Sequence, residues 1–204
     1  MARTESNTAL APGSICPAFE LPDVTTGRAF GRNDVMANTP DARGLLVAFL
    51  CVHCPFVQHI EQAFAAVASE FAQTIATVAI CSNDVVAHPE DAPEHMRAQA
   101  ARLGWAFPYL YDESQETARE FHAVCTPDLY LFDAKYELVY HAQFDVTRPY
   151  RSSDAASGLS RHPTIHVASH GADLRAAIAA LLAGAPPLPN QTPGLGCNIK
   201  WRTR

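Results

Sequence analysis

The sequence Leu45-Leu46-Val47-Ala48-Phe49-Leu50-Cys51-Val52-His53-Cys54-Pro55-Phe56-Val57 joins an unbroken apolar run to Cys-Val-His-Cys-Pro. An apolar run without polar alternation predicts a central strand covered on both faces. Phe56, Ile60, Phe64, Val67 and Phe71 then recur at helical spacing and predict a helix with one buried stripe. Pro55 suits the first helical position, where its missing N–H would have no intrahelical partner. Cys54 therefore falls at the N-cap, and a C-x-x-C pair sits where a buried strand meets a helix N-terminus. The unpaired N–H groups and the helix dipole there favour a thiolate. Such surroundings lower a thiol pKa from about 8.5 to roughly 3.5–7.5. Cys51, three residues upstream, can pair reversibly with Cys54 if the strand end bends into the helix. His53 adds positive charge when protonated, or turns its ring to solvent.

Outward from this seam, strands and helices alternate. Phe19–Asp23 and Arg28–Phe30 flank Thr26-Gly27 and predict a β-hairpin. Thr74–Cys81 is a second β-branched, apolar strand. Asp91-Ala92-Pro93-Glu94 reads as a capping box opening a helix that stops near Gly104. Phe107–Tyr111 predicts a short strand, and Asp112 starts a short helix ending near His122. Asp128–Phe132 and Glu137–Phe144 predict two strands joined at Asp133-Ala134-Lys135. Ala172–Leu182 predicts a helix closed by Gly184. This order predicts an α/β protein, a mixed central sheet flanked by helices with an N-terminal hairpin. Residues 1–13 are expected to be a disordered lead-in, 14–184 one domain with a polar insertion near 150–168, and 185–204 an irregular tail.

The chain has 204 residues, 48% of them hydrophobic and 18% charged, which suits one globular domain. A net charge of -6 argues against a nucleic-acid partner. No segment reaches the length of a membrane span, and the first residues carry no apolar signal core, so a cytoplasmic location is expected. In that compartment the six cysteines are expected to serve redox chemistry or metal binding rather than a static disulfide framework.

The residues Cys51 to Val57 resemble the C-x-H-C-P-F-V motif of a peroxiredoxin-like branch of the thioredoxin fold, within the alkyl hydroperoxide reductase/thiol-specific antioxidant superfamily. Pro17-Ala18-Phe19-Glu20-Leu21-Pro22-Asp23 resembles that superfamily's N-terminal hairpin. Val124-Cys125-Thr126-Pro127-Asp128 resembles its cis-proline loop, and Gly196-Cys197-Asn198-Ile199-Lys200-Trp201 the branch's C-terminal signature. The resemblance implies a cis Pro127 facing the cysteine pair. It also implies that Thr126 and Pro127, with His53 nearby, shape a groove where a substrate segment pairs with the Thr126 backbone. Two departures stand out. Aligned on Cys54, the threonine of the peroxiredoxin pattern is replaced by Cys51, and the peroxide-assisting arginine falls where Pro127 stands.

These observations favour a thiol–disulfide oxidoreductase with Cys54 as attacking thiolate, Cys51 as resolving thiol and Cys125 in reserve. It requires no organic cofactor. Its partners would be a disulfide or oxidised-thiol substrate and a dithiol reductant; its oligomeric state, a homodimer included, is open. One alternative is a thiol peroxidase in which Cys54 becomes a sulfenate before Cys51 or Cys197 condenses with it. Another is a metal-binding or redox-sensing protein using Cys51, His53 and Cys54, with His162, His166 and His170 as a further series. Cys16 and Cys81 read as core residues, and the tail bearing Cys197 is expected to dock through Ile199 and Trp201.

Overall fold

A computed structural model of the protein describes residues 3–149 and 168–203. From the N-terminus the elements are β1 (Arg3–Glu5), β2 (Glu20–Pro22), β3 (Ala29–Gly31), α1 (Arg32–Ala37), β4 (Gly44–Phe49), α2 (Pro55–Glu70) and β5 (Ile75–Cys81). There follow α3 (Pro93–Leu103), β6 (Tyr109–Tyr111), α4 (Glu116–Glu120), β7 (Cys125–Thr126), β8 (Asp128–Asp133), β9 (Leu138–His141), α5 (Ala172–Leu182) and β10 (Leu195–Asn198). The main sheet runs β6–β5–β4–β8–β9, with β4, β5 and β6 parallel and β8 and β9 antiparallel. The order β4–α2–β5, then β8–β9–α5, is that of the thioredoxin fold.

β4 is apolar throughout because both its faces are covered. Leu46, Ala48 and Leu50 pack with Phe56, Ile60 and Phe64 of α2. Leu45, Val47 and Phe49 pack on the opposite face with Phe19, Phe30 and Phe121. Each fully buried Leu, Val or Phe side chain contributes roughly 1.5–3 kcal/mol of transfer free energy. Moving the strand by one residue would exchange the two sets between faces, so burial also fixes the register.

The hairpin, the two central strands and α5 stand where the sequence places them. Several boundaries differ. Asp91 does not cap α3; Ala92 stands at the N-cap and Pro93 opens the helix, while the Asp91 side chain turns inward. The expected strand Glu137–Phe144 is a strand over Leu138–His141, with Glu137 ahead of it in an isolated bridge to Ile15. The Asp112 helix begins at Glu116, because the Asp112 carboxylate instead accepts the Ala118 N–H and the Ser82 hydroxyl. α1, with Val35 as its buried residue, had too little apolar pattern to be seen.

The two chain ends require the largest correction. Part of the expected lead-in, Arg3–Glu5, is a strand, and the expected irregular tail contains another. β1, β10 and β7 form a three-stranded sheet, with Arg3 opposite Cys197 and Cys197 opposite Thr126. Polar anchoring explains this docking. Ser6 Oγ donates to the buried Asp128 carboxylate at 2.7 Å, and Ile199 N–H donates to Val124 O at 2.9 Å. Ile199 is buried, and the Arg119 guanidinium lies over the Trp201 ring at 5.0 Å. The polar insertion, including His162 and His166, falls outside the described residues save for residue 168. Among the described residues no helix is long and apolar enough to cross a membrane.

Candidate active site

Cys51 lies just past the C-terminal end of the central strand β4, and the chain turns through Val52 and His53 into α2. Cys54 is the N-cap residue with Pro55 following at the first helical position. Thr126-Pro127 faces this turn and its peptide bond is cis. Cys51 Sγ lies 3.2 Å from Thr126 Oγ1, and Cys54 Sγ lies 3.1 Å from Thr126 O, a contact that is a hydrogen bond only while Cys54 keeps its proton. Thr126 therefore touches both sulfurs, one by its hydroxyl and one by its carbonyl. All six cysteines are free thiols, and Cys54 is 0% and Cys51 1% exposed.

The two thiols differ in acidity. Burial opposes ionisation of Cys54, but the Cys197 and Cys51 thiols and the Val57 and Cys197 N–H dipoles outweigh it and hold its pKa well below the ordinary value. Val57 N–H acts as a helix-end dipole without closing a capping bond. Cys51 moves the other way. Burial first, then the neighbouring Cys54 and the Asp91 charge, push it well above the usual thiol value. The two shifts run in opposite directions, so Cys54 is the more acidic sulfur of the pair and Cys51 the less acidic.

Asp91 is the residue sequence reasoning missed. It is fully buried and holds the Cys51–Cys54 turn in place. Its Oδ1 accepts the Val52 and His53 N–H groups at 2.8 and 3.1 Å. Its Oδ2 contacts His53 Nδ1 at 2.6 Å and accepts Asn83 Nδ2 at 2.7 Å. The bond to Asp91 raises the His53 pKa despite burial. Burial opposes Asp91 ionisation, yet the His53 and Asn83 hydrogen bonds hold its pKa below the ordinary carboxylate value. His53 thus neither adds its charge to the Cys54 sulfur as a leading influence nor turns to solvent. Its ring is clamped by Asp91 and stacks on His88 with centroids 5.4 Å apart. The signal for Asp91 was visible as an acid before a helix, but a solvent-side cap and an inward clamp share that signature.

Cys125 is close to the pair but packs elsewhere, 3.7 Å from Ser6 Oγ and 3.8 Å from Pro127 O. Burial pushes its pKa far up, as it does that of Cys81, and it pushes Cys16 to about 12. Cys16 and Cys81 are core residues. The edge of Thr126, expected to be open to a substrate segment, is already paired with β10. Cys197 is accordingly buried in the site rather than carried on a loose tail.

The potential metal-ligand groups among the described residues are Cys51/His53/Asp91 and His53/His88/Glu90, each with ligand atoms within 4.8 Å of one another. Cys54 belongs to neither. Both Asp91 oxygens are already engaged by N–H donors, so that carboxylate is poorly disposed to take a metal. His170 lies instead by Asp145, whose carboxylate accepts its backbone N–H at 2.9 Å.

Fold and site together define a thioredoxin-fold redoxin. Residues 12–141 match the AhpC/TSA family, and the chain belongs to it. It is similar over its whole length to a conserved protein from Geobacillus kaustophilus described as uncharacterized (38% identity, TM-score 0.86, 100% of this chain and 98% of that one). The fold is shared more loosely with peroxidoxin BcpB from Mycobacterium tuberculosis (18% identity, TM-score 0.56, 85% and 97% of the two chains). It is also shared with the thioredoxin domain of a thiol-disulfide oxidoreductase from Bacteroides vulgatus (16% identity, TM-score 0.53, 75% and 98%). No curated protein matches the chain. Membership of a redoxin family supports oxidoreductase activity in general.

Proposed function

We propose that the protein is a thiol–disulfide oxidoreductase acting through Cys54 and Cys51. The observation that carries this is geometric: two buried sulfurs three residues apart meet on Thr126, with Cys54 at the N-cap of α2, and the surroundings favour ionisation of Cys54 over Cys51. The Cys54 thiolate attacks one sulfur of a substrate disulfide, and the other leaves as a thiolate. The Cys51 thiol then loses its proton, attacks Cys54 Sγ and releases the second substrate thiol. Two electrons pass from the two cysteines to the substrate, leaving a Cys51–Cys54 disulfide. A separate dithiol restores the reduced pair; no organic cofactor enters. Asp91 keeps the turn in register, so the two sulfurs are pre-positioned. Close-set thiols without a disulfide framework fit a reducing cytoplasm.

A thiol peroxidase is the second reading, favoured by the complete burial of Cys54 under β10, which admits a small oxidant more readily than a protein strand. Against it, the Thr126 hydroxyl lies on Cys51 rather than on Cys54.

Insulin reduction by dithiothreitol and consumption of hydrogen peroxide, measured side by side, test the two readings. Exchange catalysis that disappears in Cys54→Ser is expected. Rapid peroxide turnover with no insulin reduction would transfer the assignment to the peroxidase.

A further inference from the structure

Cys197 has no place in the two-cysteine cycle, yet the fold brings it to the same point. β10 lies antiparallel to β7 with Cys197 directly opposite Thr126. Opposed residues of an antiparallel pair project to one face. The Thr126 side chain on that face reaches Cys51 Sγ, so Cys197 is delivered over the cysteine pair, and β10 packs against α2.

Gly196 permits this approach: a Cβ there would lie 2.1 Å from Thr126 O and 2.5 Å from its carbonyl carbon. The segment after β10 is pinned by Lys200 N–H to Asn83 Oδ1 at 2.8 Å, and Asn83 also binds Asp91. The tail and the Cys51–Cys54 turn thus hang from one asparagine. An extended chain adding to the Thr126 edge would bring main-chain hydrogen bonds and a side chain to the sulfurs. The C-terminal strand already does both, and the side chain it presents is a thiol.

We propose that β10 is a built-in substrate strand and that Cys197 exchanges with Cys54 to form an intramolecular Cys54–Cys197 disulfide. This rests on Cys54 being the attacking thiolate. When Cys54 holds a substrate fragment, the Cys197 thiol gives up its proton and attacks Cys54 Sγ. The Cys54–substrate bond breaks and the fragment leaves as a thiol. From the Cys51–Cys54 disulfide the exchange is the same: Cys197 joins Cys54, and Cys51 leaves with the proton that Cys197 released. No oxidant beyond the original substrate disulfide is consumed. Access of any larger substrate to Cys54 requires β10 to lift from β7.

The full-length Cys51→Ser variant, given one equivalent of dithiobis(nitrobenzoate), tests this. Attack by Cys54 releases one thionitrobenzoate, and displacement by Cys197 releases a second. Two equivalents and a mass-mapped Cys54–Cys197 link are expected. The Cys51→Ser/Cys197→Ser variant should stop at one, with the adduct retained on Cys54. One equivalent and a retained adduct in Cys51→Ser, or a link to Cys125, overturns the role of Cys197 while leaving Cys54 as nucleophile. No release at all overturns the Cys54 reading itself. Adding Gly196→Val to Cys51→Ser should unseat β10 and slow the second release by about a hundredfold, as misplaced reacting groups do, without slowing the first. An unchanged second release refutes the strand's role. If that variant does not fold, the serine comparison decides alone.

Discussion

Replacing Asp91 by alanine isolates what holds the cysteine turn in place. The carboxylate is fully buried and engages Val52 N–H, His53 N–H, His53 Nδ1 and Asn83 Nδ2 at 2.6–3.1 Å. Removing one partner of a buried ion pair costs about 3–5 kcal/mol, because the remaining groups stay desolvated without a counterpart. Asp91→Ala should therefore lose about 3–5 kcal/mol in urea unfolding near pH 6, a large part of the usual margin of about 5–15 kcal/mol. Asp91→Asn, which keeps one acceptor but no charge, should lose less. The pH dependence has a definite sign. The raised His53 pKa gives stability that is complete below the ordinary histidine value and is lost as pH rises through the folded one. The lowered Asp91 pKa gives stability that is present above the ordinary carboxylate value and is lost as pH falls through the folded one. The difference between wild type and Asp91→Ala should thus be greatest between about pH 4 and 6.5 and shrink on either side. A difference under about 1 kcal/mol, or one that widens from pH 6 to 9, would refute the clamp.

Further outcomes follow from the same geometry. The thiolate absorbance at 240 nm should show a step well below the ordinary thiol pKa of about 8.5 that vanishes in Cys54→Ser; a single ordinary step would end the case for an activated sulfur. Cys125→Ala should leave insulin reduction within about twofold of wild type, because burial keeps that thiol protonated; a larger loss would restore it as a resolving group. Gly44→Ala should destabilise by about 1–3 kcal/mol in urea unfolding, since the new Cβ would lie 2.6 Å from the Leu181 side chain and 2.7 Å from Phe132 O. A neutral result there would mean that β4 and β8 can part without penalty.

The β4–α2 seam was legible because its physics is local. Six apolar residues on a doubly covered strand, a proline at the first helical turn and a four-residue apolar repeat are all read along the chain. Those same features placed Cys54 at the N-cap. Asp91 was misread because its partners Val52 and His53 are 39 and 38 residues away, and an acid ahead of a helix has a valid local use as a cap. The chain ends were misread for the opposite reason. β1 and β10 are short and lack an alternating apolar pattern, so their pairing rests on contacts between residues far apart in sequence, such as Ser6 with Asp128.

The sequence by itself determined a buried strand, a helix beginning at Pro55 and a sulfur in the field of that helix, since each depends on neighbours within a few turns of chain. The tertiary structure decided how the distant groups are arranged around that sulfur and its turn. Thr126, Asp91 and Cys197 come from the proline loop, the segment before α3 and the C-terminal strand, and only packing of distant segments brings a carbonyl, a carboxylate clamp and a third thiol to one place.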